Sequence, residues 1–147
     1  MITASNTDTT EGRRSMNRAD VLEKLRTLNW PLEDYWVVAG AAMVLYGLRA
    51  DTHDIDLGCT TARADTLEAA GVPFRHMDDG SGRWFTLDGE IEVFENWLCD
   101  RTELVEGAPV ISLQGLRQMK AALGREKDRR DIALIDAFLQ AHRAMKN

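Results

Sequence analysis

Residues 37–57 read VVAGAAMVLYGLRADTHDIDL, and three local patterns follow one another there. The β-branched and aromatic run that begins two residues earlier predicts a short strand, 35–39, which ends at Gly40. Small and apolar residues then predict a buried helix, 41–48, for which Gly47 offers a stop. Residues 53–59 alternate between polar and apolar, which predicts a second strand. This part of the chain therefore predicts a strand, a tight turn, a helix and a strand.

The second of these strands carries two carboxylates on one face. Asp54 and Asp56 are two residues apart, so in a strand their α-carbons lie roughly 6 to 7 Å apart and their side chains point the same way. Such a pair can ligate one hard cation or flank two. Two metal ions about 4 Å apart stabilise the charge of a triphosphate during phosphoryl or nucleotidyl transfer. An isolated Asp-x-Asp is equally typical of acids that face water on an edge strand. The neighbouring residues therefore decide between a metal site and a solvent-exposed strand.

The turn at Gly40 supplies that context. A strand that runs through Ala39 and Gly40 into a helix can expose main-chain N–H groups at the start of the helix, where a phosphate is attracted. The alternative is a glycine that serves the tight turn alone. Together with the two acids downstream, the turn predicts a phosphate site that faces a metal site. Arg49, just before the acidic strand, can reach the same phosphates.

The remaining elements are predicted from periodicity and from turn residues. Apolar residues at helical spacing predict a helix that begins near residue 19 and ends before Pro31, and residues 62–70 predict another, closed by Gly71. Asp88-Gly89 is typical of a two-residue hairpin turn. Further strands are predicted at 73–77, 83–87 and 90–95.

The C-terminal part of the chain predicts a pair of helices. After a polar loop, Ser112 can cap a helix that runs to residue 123, where Gly124 ends it. Ile132, Ile135 and Leu139 then give a final helix its apolar stripe. The predicted fold class is α/β (α+β), a small mixed β-sheet flanked by helices with a C-terminal helical pair.

Composition limits the classes of protein that fit. The chain has 147 residues, 44% of them hydrophobic, which is enough for one core. We predict a flexible N-terminal tail, 1–16, and a single domain, 17–147. The formal net charge of -6 argues against a broad nucleic-acid-binding face and favours a small or phosphorylated substrate.

Cys59 and Cys99 lack the spacing of a zinc site or disulfide framework, so we expect buried thiols. Without a signal peptide or a membrane span, we expect a soluble, cytoplasmic protein with no membrane partner.

The motifs in this order resemble the signature of the minimal nucleotidyltransferase superfamily. Matching blocks are 37–42, 47–49 and 52–57, which follow its pattern of strand, Gly-Gly or Gly-Ser turn, helix and Asp-hydrophobic-Asp strand. The chain is most similar to the small bacterial branch that includes lincosamide nucleotidyltransferases and the nucleotidyltransferase toxins of abortive-infection systems. The family's first glycine is Ala39 in this chain. The C-terminal residues Lys120, Arg125 and Lys127, followed by two aspartates, are also similar to the end of that branch.

The resemblance implies an activity and a set of site residues. It implies a Mg²⁺-dependent nucleotidyltransferase that moves an NMP group from an NTP, its co-substrate, to a hydroxyl acceptor. Two Mg²⁺ ions would be held by Asp54, Asp56 and a third carboxylate, for which Glu92 is our choice and Glu90 the competitor. The nucleotide would be contacted by a set of main-chain and cationic groups: Gly40, Ala41, Arg49, Lys120, Arg125 and Lys127. For the last three, solvated helix surface is the alternative, and Lys127 could instead pair with Asp131.

The acceptor, the oligomeric state and the functional class each have more than one interpretation. The acceptor can be a small molecule such as an antibiotic, or a tRNA end that meets the basic cluster 125–130. Members of the resembled branch often dimerise to complete a pocket, so a homodimer is possible. Trp36, Trp84 and Trp97 are expected in the core or the pocket wall, and His53 on the opposite face of the acidic strand. A non-catalytic binding partner with this fold is an alternative function, and a sugar-nucleotide glycosyltransferase is a further one.

Overall fold

A computed structural model of the chain describes residues 14–97 and 101–146. Five α-helices occur in this part of the chain: α1 (Arg18–Leu28), α2 (Ala39–Leu45), α3 (Thr61–Ala69), α4 (Leu113–Leu123) and α5 (Glu126–Lys146). Seven strands accompany them: β1 (Tyr35–Val38), β2 (Ile55–Cys59), β3 (Phe74–His76), β4 (Arg83–Leu87), β5 (Ile91–Glu95), β6 (Thr102–Val105) and β7 (Ala108–Ile111).

All seven strands form one mixed sheet in the order β3-β4-β5-β2-β1-β7-β6. The pairs β2 with β5 and β1 with β7 are parallel, whereas the other four neighbouring pairs are antiparallel. The helices α4 and α5 follow one another at the C-terminus and contact each other. These features confirm the predicted class, a mixed sheet flanked by helices with a C-terminal helical pair.

The helices begin and end at the residues that their capping chemistry favours. Asn17 caps α1 and forms a reciprocal capping box with Asp20. The Ser112 hydroxyl accepts a hydrogen bond from the Gly115 N–H at the start of α4, and Gly124 ends that helix at a φ of 65°. The predicted helices near residues 19, 62–70, 112–123 and 132–139 are therefore confirmed.

The region between β5 and α4 corrects the sequence analysis. It was expected to be a polar loop, but it contains the hairpin of β6 and β7, whose strands pair Val105 with Ala108. Glu106 and Gly107 make the two-residue turn at φ values of 52° and 85°. Pro109 is unfavourable in a strand interior, and β7 is a short, fully buried run without alternation, so no periodic signal marks it.

A smaller correction concerns the turn between β4 and β5. Leu87 pairs with Ile91, so three residues separate the paired positions, and the turn is not the two-residue type that Asp88-Gly89 predicts. Asp88 and Gly89 do adopt positive φ values, 42° and 82°, as their residue types favour. The loop length matters because it sets which residues of β5 share a face with their neighbours.

The central strands present two chemically different faces. On one face, the row across β1, β2, β5 and β4 consists of apolar side chains that are 0% exposed: Val37, Leu57, Val93 and Phe85. On the other face, the corresponding row is Val38, Asp56, Glu92 and Thr86. Burial of the first face therefore fixes the register that places two acids side by side on the second.

Three further expectations concern the N-terminal tail, the two cysteines and the absence of a membrane span. Residues 1–13 of the predicted tail lie outside the described residues, while Met16 is fully buried and its main chain pairs with Thr52 at 2.8 and 2.9 Å. Cys59 is a buried free thiol, and burial raises its pKa to about 12; Cys99 lies outside the described residues. Within the described residues, every helix is too short or too polar to cross a membrane.

Gly58 is required by the packing of the aromatic side of the sheet. A β-carbon there would lie 2.1 Å from Trp36 Nε1 and 2.6 Å from the main-chain oxygen of Trp97. We therefore expect Gly58→Ala to lower the free energy of unfolding by about 2 to 3 kcal/mol, the cost of overpacking, in urea denaturation. Gly89→Ala is the control, because its β-carbon meets nothing within 4 Å and only the positive φ costs about 1 kcal/mol. Equal losses in the two variants would contradict the packing argument.

Candidate active site

The three predicted carboxylates lie at the N-terminal end of β2 and on the neighbouring β5. Asp54 directly precedes β2, Asp56 lies within it, and Glu92 is the register partner of Asp56 on the adjacent parallel strand. All three are partly buried. The Thr52 hydroxyl donates a 3.0 Å hydrogen bond to the main-chain oxygen of Asp54, and the Trp84 indole N–H donates to Glu92. The acids that the sequence separates by some 36 positions are thus brought together by strand pairing.

Glu90, the competitor for the third carboxylate, has different surroundings. It lies in the turn before β5, where Lys24 Nζ is 2.8 Å and Arg14 Nε 3.2 Å from its carboxylate. Two cations therefore hold this side chain, whereas Glu92 stands directly beside Asp56. The register favours Glu92, and its role as a ligand or base stays a prediction.

The donor chemistry of this acidic site fits Mg²⁺. Carboxylate oxygens are the hard ligands that this ion prefers. Among the described residues, no three His, Cys, Asp or Glu side chains are grouped so that they could hold a metal ion by themselves. Mg²⁺ is commonly bound by one or two carboxylates together with substrate phosphates and retained waters. Binding of Mg²⁺ by Asp54, Asp56 and Glu92 stays a prediction, and it would require substrate phosphates and waters as further ligands.

The first turn of α2 lies close to these acids, because α2 follows β1 directly and Val38 is the register partner of Asp56. Gly40, which was predicted to form a tight turn before the helix, lies in this first helical turn. Ala39 follows at a φ of 62°, a left-handed conformation that favours glycine. A β-carbon on Gly40 would lie 2.8 Å from Arg49 Nη1 and 3.1 Å from Thr52 Oγ1. Gly40 is thus the residue that lets the arginine approach the turn. Ala41 as a whole is only 1% exposed, and its predicted contact with the nucleotide stays a prediction.

A buried charge network connects Arg49 to the C-terminal helices. Arg49 Nη2 is 2.9 Å from Asp131 Oδ2, and Lys120 Nζ is 2.9 Å from the same oxygen. Lys120 and Asp131 are only 3% and 4% exposed. The solvated-surface alternative for Lys120 is therefore wrong. Asp131 pairs with Arg49 and Lys120, and not with Lys127 as the alternative for that residue proposed.

Asp128 extends this network at the start of α5. It is 0% exposed, accepts from the Arg125 guanidinium at 2.6 and 3.0 Å, and accepts from the Arg125 main-chain N–H at 3.1 Å. Asp128 Oδ1 also lies 3.7 Å from Lys120 Nζ. Lys127 is exposed, and its side chain is not among the groups that bind Asp128 or Asp131, so the network gathers three of the four predicted cations and leaves Lys127 out.

The sequence signal for this network lies in the spacing of the two aspartates. Asp128 and Asp131 are three residues apart and so share one face of α5. That face carries Ile135, which is fully buried, one turn further on. Acids on the buried face of a helix need cationic partners, and this rule identifies both residues as functional candidates.

An aromatic layer borders the carboxylate row on the same face of the sheet. The next row consists of Trp36, Gly58, Phe94 and Trp84. Ring centroids of Phe94 lie 5.2 Å from Trp84 and 4.4 Å from Trp97, and the Trp36 indole N–H donates to the Trp97 main-chain oxygen at 2.9 Å. Trp36 is buried, whereas Trp84 and Trp97 are partly exposed, in agreement with core and wall positions. His53 is exposed.

Comparisons with known proteins identify the fold. No family model and no curated protein matches the chain in sequence. A Thermotoga maritima protein assigned as a nucleotidyltransferase is similar in structure, with a TM-score of 0.56 and 21% identity over 80% of this chain and 93% of that one. The lincosamide antibiotic adenylyltransferase LnuA, solved with lincomycin bound, has a TM-score of 0.50 and 16% identity over 79% of this chain and 92% of its own. The chain therefore has the nucleotidyltransferase fold, which the resemblance in sequence predicted.

The conformation of Ala39 leads to a stability prediction. An alanine in the left-handed region costs about 1 kcal/mol relative to glycine, so we expect Ala39→Gly to raise the free energy of unfolding by about 1 kcal/mol in urea denaturation. Ala42→Gly is the matched control in the same helix, where a right-handed, buried alanine is replaced. It is expected to lose about 1 kcal/mol or more. A destabilised Ala39→Gly would contradict the assigned backbone conformation.

Asp128 leads to a prediction about pH. Its hydrogen bonds from Arg125 lower the pKa of the carboxyl from 3.8 to about 2. The native state therefore binds fewer protons, and the stabilisation is complete above the unfolded pKa of about 3.9 and lost as the pH falls toward 2. We expect Asp128→Asn to lower the free energy of unfolding by about 2 to 3 kcal/mol at pH 7, with a difference from wild type that shrinks below about pH 4.

Urea denaturation between pH 7 and pH 2.5 measures this difference. Asp136→Asn is the control, because it removes a carboxylate of the same helix whose ion pair with Arg117 is exposed and contributes little. A difference between wild type and Asp128→Asn that stays constant across the whole range would contradict the assignment.

Proposed function

We propose that this protein is a Mg²⁺-dependent nucleotidyltransferase that moves an NMP group from an NTP to a hydroxyl group of a small-molecule acceptor. The observation that carries the proposal is the pairing of Asp56 with Glu92 on adjacent strands, next to Asp54 and to the turn that carries Gly40. The nucleotidyltransferase fold shared with LnuA supports the same class of reaction. LnuA is an adenylyltransferase, so ATP is the first nucleotide to test.

The proposed reaction is an in-line displacement at the α-phosphorus. The acceptor oxygen forms a bond to that phosphorus, the bond to the bridging oxygen of the β-phosphate breaks, and pyrophosphate leaves. When bound, Mg²⁺ neutralises charge on the phosphates and stabilises the leaving oxygen. Asp54 and Asp56 would hold the cation. Glu92 would either take the proton of the acceptor hydroxyl or complete the ligand set of the cation, in which case that proton passes to solvent. Arg49, which lies against Gly40, binds the phosphates as they carry the greatest charge.

The surroundings of the site favour a small acceptor over a tRNA end. The net charge of -6 opposes a polyanion. In the basic cluster, the guanidinium of Arg125 is held by Asp128, which removes one of the cations that a phosphate backbone would meet. Trp84, which donates to Glu92, and Trp97, which packs on Phe94, supply partly exposed aromatic surface, suited to the ring of a small molecule. The homodimer and the cytoplasmic location stay predictions.

A non-catalytic partner with the same fold is the second candidate. Ala39 supports it, because a methyl group stands where the resembled family has a glycine that approaches the triphosphate. The glycosyltransferase alternative has no support in the fold.

The proposal predicts that transfer depends on the paired acids. We expect Asp56→Asn and Glu92→Gln each to lower kcat/KM by about a thousandfold, or about 4 kcal/mol of transition-state stabilisation, with the fold retained. The measurement is Mg²⁺-dependent transfer of label from four α-labelled NTPs to a panel of hydroxylated small molecules and to bulk tRNA. Each variant is also checked for its unfolding transition.

Glu103→Gln is the control, because it removes an exposed carboxylate on β6 of the same sheet and should leave transfer unchanged. Equal activity in Asp56→Asn and wild type would exclude the proposed mechanism. Nucleotide binding with no transfer to any acceptor would favour the non-catalytic partner, and label on tRNA alone would replace the small molecule as acceptor.

A further inference from the structure

The three groups Arg49, Asp131 and Lys120 form an asymmetric cluster. Both cations bind the same carboxylate oxygen at 2.9 Å. Their exposure differs, since the side chain of Lys120 is 4% exposed and that of Arg49 34%. The carboxylate between them is 6% exposed. A ligand on the surface can thus touch the guanidinium, while the ammonium lies behind it.

The charges of this cluster explain why two cations are needed. A pair of Arg49 and Asp131 alone would be neutral and would attract a phosphate weakly. Lys120 supplies a second positive charge to the same carboxylate, which leaves the three groups at a formal +1. Asp128 does not change this balance, because its own carboxylate is bonded twice by the guanidinium of Arg125. The surplus charge is therefore carried by Arg49, the exposed member of the cluster.

The direction of Arg49 places that charge at the turn. Its Nη2 binds Asp131, whereas Nη1 lies beside Gly40, 2.8 Å from where a β-carbon would stand. The planar guanidinium is rigid, so holding one nitrogen fixes the direction of the other. Asp131 thus orients the group, and the absence of a side chain at Gly40 keeps it against the turn.

We propose that Lys120 is a positioning residue for nucleotide binding and does not contact the nucleotide. Its buried ammonium compensates Asp131, so Asp131 can orient Arg49 toward the triphosphate without cancelling the charge of Arg49. The inference rests on the proposed function and assigns a different task to Lys120 than direct phosphate contact. It also explains why ionic groups with a high desolvation cost are kept in the packing between α4 and α5.

The test is a charge rescue measured with two probes, Mg²⁺-ATP and inorganic tripolyphosphate. Lys120→Met leaves Arg49 and Asp131 neutral together, and we expect dissociation constants about tenfold higher. Adding Asp131→Asn removes the uncompensated carboxylate, keeps a carbonyl oxygen that accepts from Arg49, and restores the net charge. We expect the double variant to bind both probes within about threefold of wild type.

A direct contact between Lys120 and phosphate gives the opposite result. The double variant would then bind at least about tenfold more weakly than wild type, and the inference would be overturned. The comparison of the double variant with wild type stands even where Lys120→Met alone does not fold, because removing both members of a buried pair is commonly tolerated. Unfolding transitions are recorded for every variant.

Matched controls come from the other ion pair between the same helices. Arg117 and Asp136 connect α4 and α5 at 2.7 Å on the exposed side. Arg117→Met, alone and with Asp136→Asn, changes the same charges and should leave both dissociation constants unchanged. Equal weakening by these controls would overturn the inference, because a general charge effect would explain the result.

A wild-type protein that binds neither probe would overturn the proposed function as well, whereas normal wild-type binding without rescue overturns this inference alone.

Discussion

The pairing of β2 with β5 in parallel register is the constraint on which the site depends. Side chains alternate along a strand, so a slip of one residue would turn Asp56 or Glu92 to the opposite face. Leu57 and Val93, which are fully buried, prevent that slip because it would expose them to water. Hydrophobic burial on one face thus sets the position of the carboxylates on the other. The polar face needs no strong interaction of its own to bring two like charges together.

A second constraint acts through the helices that follow the sheet. The segment before β2 is tied to α5 by the ion pair of Arg49 with Asp131, which are 82 positions apart in the sequence. Lys120 joins the same carboxylate from α4, so three separate elements share one charge cluster. Breaking a buried pair on one side leaves an uncompensated charge in the interior. The turn at Gly40, the acidic strand and the C-terminal helices are therefore energetically coupled.

The sequence predicted most of what depends on local patterns. Alternation identified β2 and its two acids, and apolar spacing, glycines and capping residues identified all five helices, although α2 begins and ends a few residues earlier than the predicted 41–48. It did not predict β6 and β7, because a short buried strand with a proline lacks alternation and the Glu106-Gly107 turn was read as part of a loop. Lys120 and Arg49 were expected to contact nucleotide, but their common partner Asp131 depends on tertiary packing between distant segments. Glu92 was preferred over Glu90 by resemblance, and the register that supports this choice is a property of the folded sheet.

The bridge between Met16 and Thr52 ties the start of the described chain to the centre of the molecule. Met16 is buried, and its main chain bonds to Thr52 in both directions. The hydroxyl of Thr52 in turn supports the main chain of Asp54 and lies close to Gly40. A pull on the N-terminal segment is therefore transmitted through two hydrogen-bonded residues to the loop that shapes the acidic site. In mechanical terms, a displacement of Met16 would load the loop before Asp54 and not a remote surface.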